Sequence, residues 1–301
     1  MKGISKTRNG YLIMKNKKLL IISDLDGTLL NNESKLSYQT IKVIKLLNKL
    51  GHHFCIATGR PSRASIDIYN ELGLNTVMAN LNGSYIWHPK DRFFKAINLS
   101  FSKDIVKNLL HKTSIIKLVD NFIVENNEGT YIMNKPVSSR EHDELLQCFH
   151  IDGKDNCTFG QDKILNLRRD PNAILLQVKN PHNIDEVVFQ LKECFSTFVV
   201  RKWSLPVSGI IIEVNTVYAN KGNALDYLSS YYGIPKEFVV TFGDGENDIE
   251  MLQKSRFGYA MKNAISSAKL LARYITKYNN NDHGVAFELF HKIIKRSLKN
   301  S

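Results

Sequence analysis

Cysteine is scarce in this chain. Cys55, Cys148, Cys157 and Cys194 are the only four, and no two of them form a CxxC pair or a Cys/His ligand spacing. A disulfide scaffold and a zinc finger are thereby excluded, and the four read as reduced thiols of an intracellular, cytoplasmic protein. No apolar stretch approaches the ~20 residues that span a bilayer, so no membrane partner is expected. The N-terminus lacks the apolar segment of a secretory signal. Acids are missing from both ends: residues 1–18 carry six Lys and Arg, and residues 291–301 carry four. The ends thus supply ten of the formal net charge of +12, and the body between them is close to balanced. A basic groove for nucleic acid is not indicated on the folded part. There is no internal repeat, and no low-complexity segment beyond "NNND" at 279–282.

What remains is an ordinary globular composition, 43% hydrophobic and 23% charged over 301 residues, enough for one large domain or two smaller ones. Short apolar runs alternate with helical patterns in the first third. "LLIIS" is followed by "SYQTIKVIKLLNKLG", whose Ile41, Ile44, Leu47 and Leu50 recur at helical spacing before Gly51. "HFCIATGRP", "SRASIDIYNELG" and "NTVMANLNG" continue a β-α-β-α-β series, the signature of a parallel sheet covered on both faces. From about residue 86 to 213 the style changes to strands such as "NFIVEN", "GTYIM", "AILLQV" and "TFVVRKW" among helices. The alternating style then returns with "KGNALDYLSSYYG", "EFVVTFGDG" and "NDIEMLQKS". The fold class predicted is α/β: a doubly wound, Rossmann-like parallel-sheet core over 17–85 and 214–301, split by an inserted α+β domain over 86–213. Residues 1–16 form a basic extension.

Ligands of open parallel sheets bind beyond the carboxyl ends of the strands, so the residues leaving those ends matter most. "LLIIS" delivers Asp24 and Asp26. "HFCIA" delivers Thr58, Gly59 and Arg60, the last a candidate substrate contact. "EFVVTF" delivers Gly243, Asp244 and Gly245, with Asn247 and Asp248 just beyond. Lys221 precedes the helical segment before that strand. Acids crowded behind buried strands repel one another unless a cation sits among them. A calcium EF-hand is excluded, because the glutamate and flanking helices its loop needs are missing. The hard oxygens of Asp24, Asp244 and Asp248 suit Mg²⁺ and a substrate phosphate. Asp24 is then the candidate nucleophile and Asp26 the proton shuttle. Thr58, Gly59 and Lys221 would hold the transferring oxygens.

With these residues assembled, the chain resembles the haloacid dehalogenase (HAD) superfamily, and within it the Cof-type sugar phosphatases with an inserted type IIB cap. The resemblance rests on "SDLDGTLL", "ATGRP", "NGSYI", "NKGNAL", "FGDGENDIEML", "AMKNA" and "DHGVA", in that order. It implies Asp24 as nucleophile and Mg²⁺ ligand, and Asp26 as general acid/base with its backbone carbonyl on the metal. It implies Thr58 and Lys221 as phosphate binders, Asp244 and Asp248 as metal-site acids, and Asn247 in support of the phosphate or the acidic loop. An aspartate at position 26, where the related P-type ATPases carry threonine, argues for hydrolysis. Asn220 departs from the serine often found before the lysine. The expected function is Mg²⁺-dependent hydrolysis of a small-molecule phosphate ester, a sugar phosphate foremost, by a monomer or weak homo-oligomer. The alternatives are a hexose phosphomutase of the same cap type, a receiver-like phosphoprotein, and a nucleic-acid binder using the basic ends.

Overall fold

Leu20–Ser23 (β1) is buried at every position, as expected of a strand covered on both faces. It pairs in parallel with His53–Ile56 (β2). Between them the helix Tyr38–Lys49 starts at Ser37, whose hydroxyl accepts the Thr40 N–H at 3.1 Å, a standard N-terminal cap. The helix buries Ile44 and Leu47. Leu50 lies beyond its last residue and is exposed, so the expected apolar stripe is one residue too long. The computed structural model describes residues 17–151, 157–194, 197–205 and 209–295. The basic extension expected over 1–16 lies outside them, as do Arg296 and Lys299.

The strands then follow in chain order. Met78–Asn80 (β3), Tyr85–Trp87 (β4) and Ile97–Asn98 (β5) come next. Asn121–Asn126 (β6), Gly129–Ile132 (β7), Cys157–Phe159 (β8) and Ala173–Val178 (β9) follow. Phe198–Leu205 (β10) and Gly209–Thr216 (β11) pair antiparallel. Val239–Gly243 (β12), Phe257–Ala260 (β13) and Tyr274–Ile275 (β14) end the series.

The chain divides into two compact units. Among described residues the first holds those up to Ala57, Ile68–Thr76, and those from Leu225 onward. Its sheet has the order β14-β13-β12-β1-β2, all parallel. β1 therefore lies between β2 and β12, and the strand order reverses there. Such a switch point opens a crevice at the carboxyl ends of the two strands, which is where Ser23 and Phe242 stand side by side.

The second unit holds Thr58–Asp67 and Val77–Ala224, including all of the expected insertion. Its main sheet has the order β10-β11-β9-β6-β7-β8, antiparallel except for β7 with β8. Phe122, Val124, Ile174, Leu176, Ile212 and Val214 face one side, where they pack with Val106 and Leu109 of the helix Lys103–His111 and Val187 and Leu191 of the helix Ile184–Cys194. Ile123, Ile132, Leu175 and Ile211 face the other side with Leu145 and Phe149. This alternation is the period-two pattern of a sheet.

β3 differs from expectation. Rather than continuing the parallel sheet, it pairs antiparallel with β4, and β4 with β5. Three buried residues are too few to define a partner by pattern alone. No helix among the described residues is long and apolar enough to cross a membrane.

Candidate active site

In the first unit, Asp24 directly follows β1, and its N–H donates to the Phe242 carbonyl at 3.0 Å. The backbone then makes a wide turn closed by Leu30 N–H to Leu25 O at 2.9 Å, with Gly27 at φ +67°. Only glycine adopts that conformation readily, and here it also has no room for a side chain. A Cβ on Gly27 would overlap the Asp244 carboxylate. The Thr28 hydroxyl donates to Asp244 Oδ1 at 2.9 Å, and Asn263 Nδ2 donates to the Gly27 carbonyl at 2.7 Å. Asp26 is half-buried within the same turn.

Asp244 leaves the end of β12. Asp248 is fully buried, and its Oδ2 accepts the N–H groups of Asp244 and Gly245, both at 2.9 Å. Gly243 makes this possible, because a Cβ there would run into the Asp248 side chain. Asn247 is half-buried between them in the loop. One carboxylate oxygen of each of Asp24, Asp244 and Asp248 lies within 4.8 Å of the others. Three carboxylates at that separation repel strongly unless a cation sits among them, and all-oxygen donors suit a hard divalent ion. The cluster therefore fits a divalent metal. It gathers three of the four predicted metal residues; the part predicted for Asp26 is through its backbone carbonyl.

In the second unit, Thr58 is buried and Gly59 exposed. Thr58 Oγ1 accepts the Arg60 N–H at 3.1 Å, which leaves the hydroxyl proton to be donated elsewhere. Arg60 is buried and donates through Nη1 to the Ala64 carbonyl at 3.3 Å, so part of its donor set braces its own loop. The turn Leu81–Gly83 holds this loop. All three residues have positive φ, at 49°, 57° and 90°, an arrangement that persists only when the surroundings enforce it. Leu81 N–H donates to Arg60 O at 3.1 Å and Asn82 N–H to Thr58 O at 3.0 Å. The Asn82 side chain donates to Glu213 Oε1 at 3.1 Å, and the other oxygen of Glu213 accepts the Trp203 indole N–H at 3.1 Å.

The same turn meets the start of the helix Lys221–Tyr231. A Cβ on Gly83 would lie 2.9 Å from the Asn220 carbonyl. Asn220 Oδ1 accepts the Asn223 N–H at 2.8 Å, so asparagine caps this helix as serine would. Lys221 follows as the first helical residue and is 0% exposed. A fully buried ammonium is rare without a compensating function or partner.

Sequence reasoning passed over three residues of this geometry: Gly27, Thr28 and Asn263. Two of them stand inside "SDLDGTLL" and the third inside "AMKNA". For Gly27 and Thr28 the signal was adjacency to the acidic pair, but nothing in the string says that position 28 meets position 244.

The chain is similar over most of its length to known proteins. The model of a family described as haloacid dehalogenase-like hydrolase matches residues 21–289. The 5-amino-6-(5-phospho-D-ribitylamino)uracil phosphatase YitU of Bacillus subtilis (strain 168) is 34% identical over 275 residues, covering 91% of this chain and 97% of its own. YcsE of the same organism, a phosphatase named for the same compound, is 27% identical over 282 residues, covering 91% and 96%. Among solved structures, a haloacid dehalogenase-like hydrolase from Bacteroides thetaiotaomicron superposes with a TM-score of 0.75 at 21% identity, covering 91% of this chain and 98% of its own. The subclass IIB sugar phosphatase BT4131 gives 0.72 at 20%, again covering 91% and 98%. Likeness at those identities shows the fold.

Proposed function

The chain belongs to the haloacid dehalogenase-like hydrolase family, and from that premise we propose that it is a Mg²⁺-dependent phosphatase of small phosphorylated metabolites. The observation that carries this is the approach of Asp24, Asp244 and Asp248 to within 4.8 Å at the ends of adjacent strands. Three carboxylates held together by donors as specific as Thr28 serve no structural purpose that an apolar packing would not serve better.

In this reading Asp24, Asp244 and Asp248, with the Asp26 carbonyl, would hold Mg²⁺, which would offset carboxylate repulsion and the charge of the incoming phosphate. The Asp24 carboxylate attacks phosphorus, forming an aspartyl phosphate and breaking the bond to the leaving alcohol oxygen. Asp26 gives that oxygen its proton. Asp26 then takes a proton from water, whose oxygen attacks the same phosphorus, freeing inorganic phosphate and restoring Asp24. The Thr58 hydroxyl, the Gly59 amide and the Lys221 ammonium bind the non-bridging oxygens, and Asn247 steadies the acidic loop. Arg60 is assigned to substrate contact.

Residues 17–85 and 214–301 serve as the core and 86–213 as the cap that reads the leaving group. YitU is named for a phosphorylated ribitylamino compound. A phosphomonoester on a polyhydroxylated carbon chain, with sugar phosphates the general case, is the substrate class we assign. The enzyme acts in the cytoplasm as a monomer or weak homo-oligomer. The test is a panel of such esters assayed for phosphate release with Mg²⁺ and with EDTA. Release on at least one polyol phosphate that stops with EDTA supports the reading. Isomerisation without release would replace it with a mutase.

A further inference from the structure

Arg63 lies three residues beyond Arg60, in the loop read above as phosphate-binding, and its side chain is spoken for. Nη1 donates to Glu125 Oε1 at 2.6 Å and Nη2 to Glu125 Oε2 at 3.4 Å. Nη2 also reaches Thr130 Oγ1 at 2.9 Å and the Phe149 carbonyl at 3.3 Å. Thr130 closes the ring by donating to Glu125 Oε2 at 2.8 Å. Glu125 is buried and Arg63 half-buried, with side-chain exposures of 4% and 17%. Glu125 and Thr130 sit opposite one another on β6 and β7. By strand alternation Glu125 shares the face of Ile123, as Glu213 shares that of Ile211, and Ile123 and Ile211 belong to one apolar cluster.

The segment from Thr58 to Ser65 is cross-braced by hydrogen bonds, beginning with the Arg60 N–H to Thr58 Oγ1. Ala64 and Ser65 N–H groups bond back to Pro61 and Ser62, and the Ser65 hydroxyl donates to Pro61 O at 2.9 Å. Asn80 Nδ2 donates to both Arg60 O and Ser65 Oγ. A loop braced this way moves as a piece, so what holds Arg63 also holds Thr58. Two carboxylates on one sheet face therefore grip the two segments that define the loop: Glu125 through Arg63, and Glu213 through Asn82.

We propose that Glu125 is a positioning residue for phosphate binding, acting through the Arg63 guanidinium to fix the Thr58–Arg60 loop. This rests on reading that loop as a phosphate binder. A bidentate guanidinium–carboxylate fork defines orientation as well as distance, which suits a loop whose hydroxyl and amide must meet phosphate oxygens within tenths of an ångström. An ion pair largely withdrawn from water is a poor device for stability alone, since an apolar pair of similar volume serves as well. That difference supplies the test.

The double variant Arg63→Met/Glu125→Leu removes the fork and keeps the volume. The melting temperature is expected to stay within a few degrees. Catalytic efficiency on a phosphate ester is expected to fall about 10- to 100-fold, the cost of a misplacement of roughly 1 Å. Inhibition by inorganic phosphate should weaken in parallel, with Arg63→Lys recovering part of both losses. Glu125→Gln, isosteric and still able to accept from Thr130, is the second variant should the double one fail to fold. Unchanged efficiency and unchanged phosphate inhibition in a folded variant overturn the proposal. Thr58→Ala, run alongside, tells the two failures apart. If Thr58→Ala weakens phosphate inhibition and the pair variant does not, the clamp alone is wrong. If neither does, the loop is not a phosphate binder and both readings fall.

Discussion

The Gly27 Cα stands against the Asp244 carboxylate so closely that any side-chain carbon on residue 27 would occupy the space of Oδ2. The turn that carries Asp24 and Asp26 and the loop that carries Asp244 are thus fitted to each other with no room for a methyl group. Gly27→Ala must displace the Asp244 carboxylate and also place alanine at φ +67°. The variant is expected to lose at least about 1 kcal/mol of stability. It should also need about 10- to 100-fold more Mg²⁺ for half-maximal activity. A metal titration of activity, beside a thermal melt, checks both; an unchanged Mg²⁺ requirement would contradict the fit.

Asp24→Asn keeps the shape of the side chain and removes its nucleophilic charge. Phosphate release is expected to fall by at least about a thousandfold, with the melt little changed or raised, because one of three mutually repelling carboxylates is gone. Full activity in the variant would remove Asp24 from the nucleophile's role.

Lys221 has no solvent exposure, so its site accepts an ammonium of one size. Lys221→Met is expected to lower kcat by about 10²- to 10³-fold through loss of charge stabilisation. Lys221→Arg should fail to rescue, since a close-packed interior leaves no space for the larger planar group. A rescue by arginine, measured as kcat on the same ester, would show that charge alone is needed.

His52 gives the fold a pH dependence away from the site. Burial lowers its pKa below the ordinary 6.5, with His53 adding to the effect, and its Nδ1 accepts the Leu19 N–H at 3.2 Å. The folded state therefore prefers the neutral ring. Its contribution is complete above pH 6.5, the unfolded value, and is lost as pH falls through the lowered folded value. The melting temperature should drop on acidification across that window. His52→Asn, which offers a non-titrating acceptor, should flatten the drop; an equal drop in the variant would assign it elsewhere.

Several features of the site were legible in the string because their causes are local. Asp24 follows the run "LLIIS" and Asp244 the run "FVVTFG", and a buried strand delivers the polar residue after it at its end. Ser37 and Asn220 announce helix starts through side chains that each reach three residues along. The glycines at 243 and 245 mark a loop of acids. Each depends on neighbours in sequence, which the string states outright.

Other features have their cause in residues far apart. Thr28 meets Asp244 across 216 positions, Arg63 meets Glu125 across 62, and β3 takes its partner from β4 rather than from the parallel sheet. In the string Arg63 is one arginine after a proline turn and Glu125 one acid in an apolar strand. Each would read as a solvated charge. By itself, the sequence determined which residue types leave which strand ends, because burial and turn chemistry act over a few residues. The tertiary structure alone decided which of those residues touch and which glycine must remain bare. Contacts of that kind are set by how whole elements stack, and no short stretch of chain carries that information.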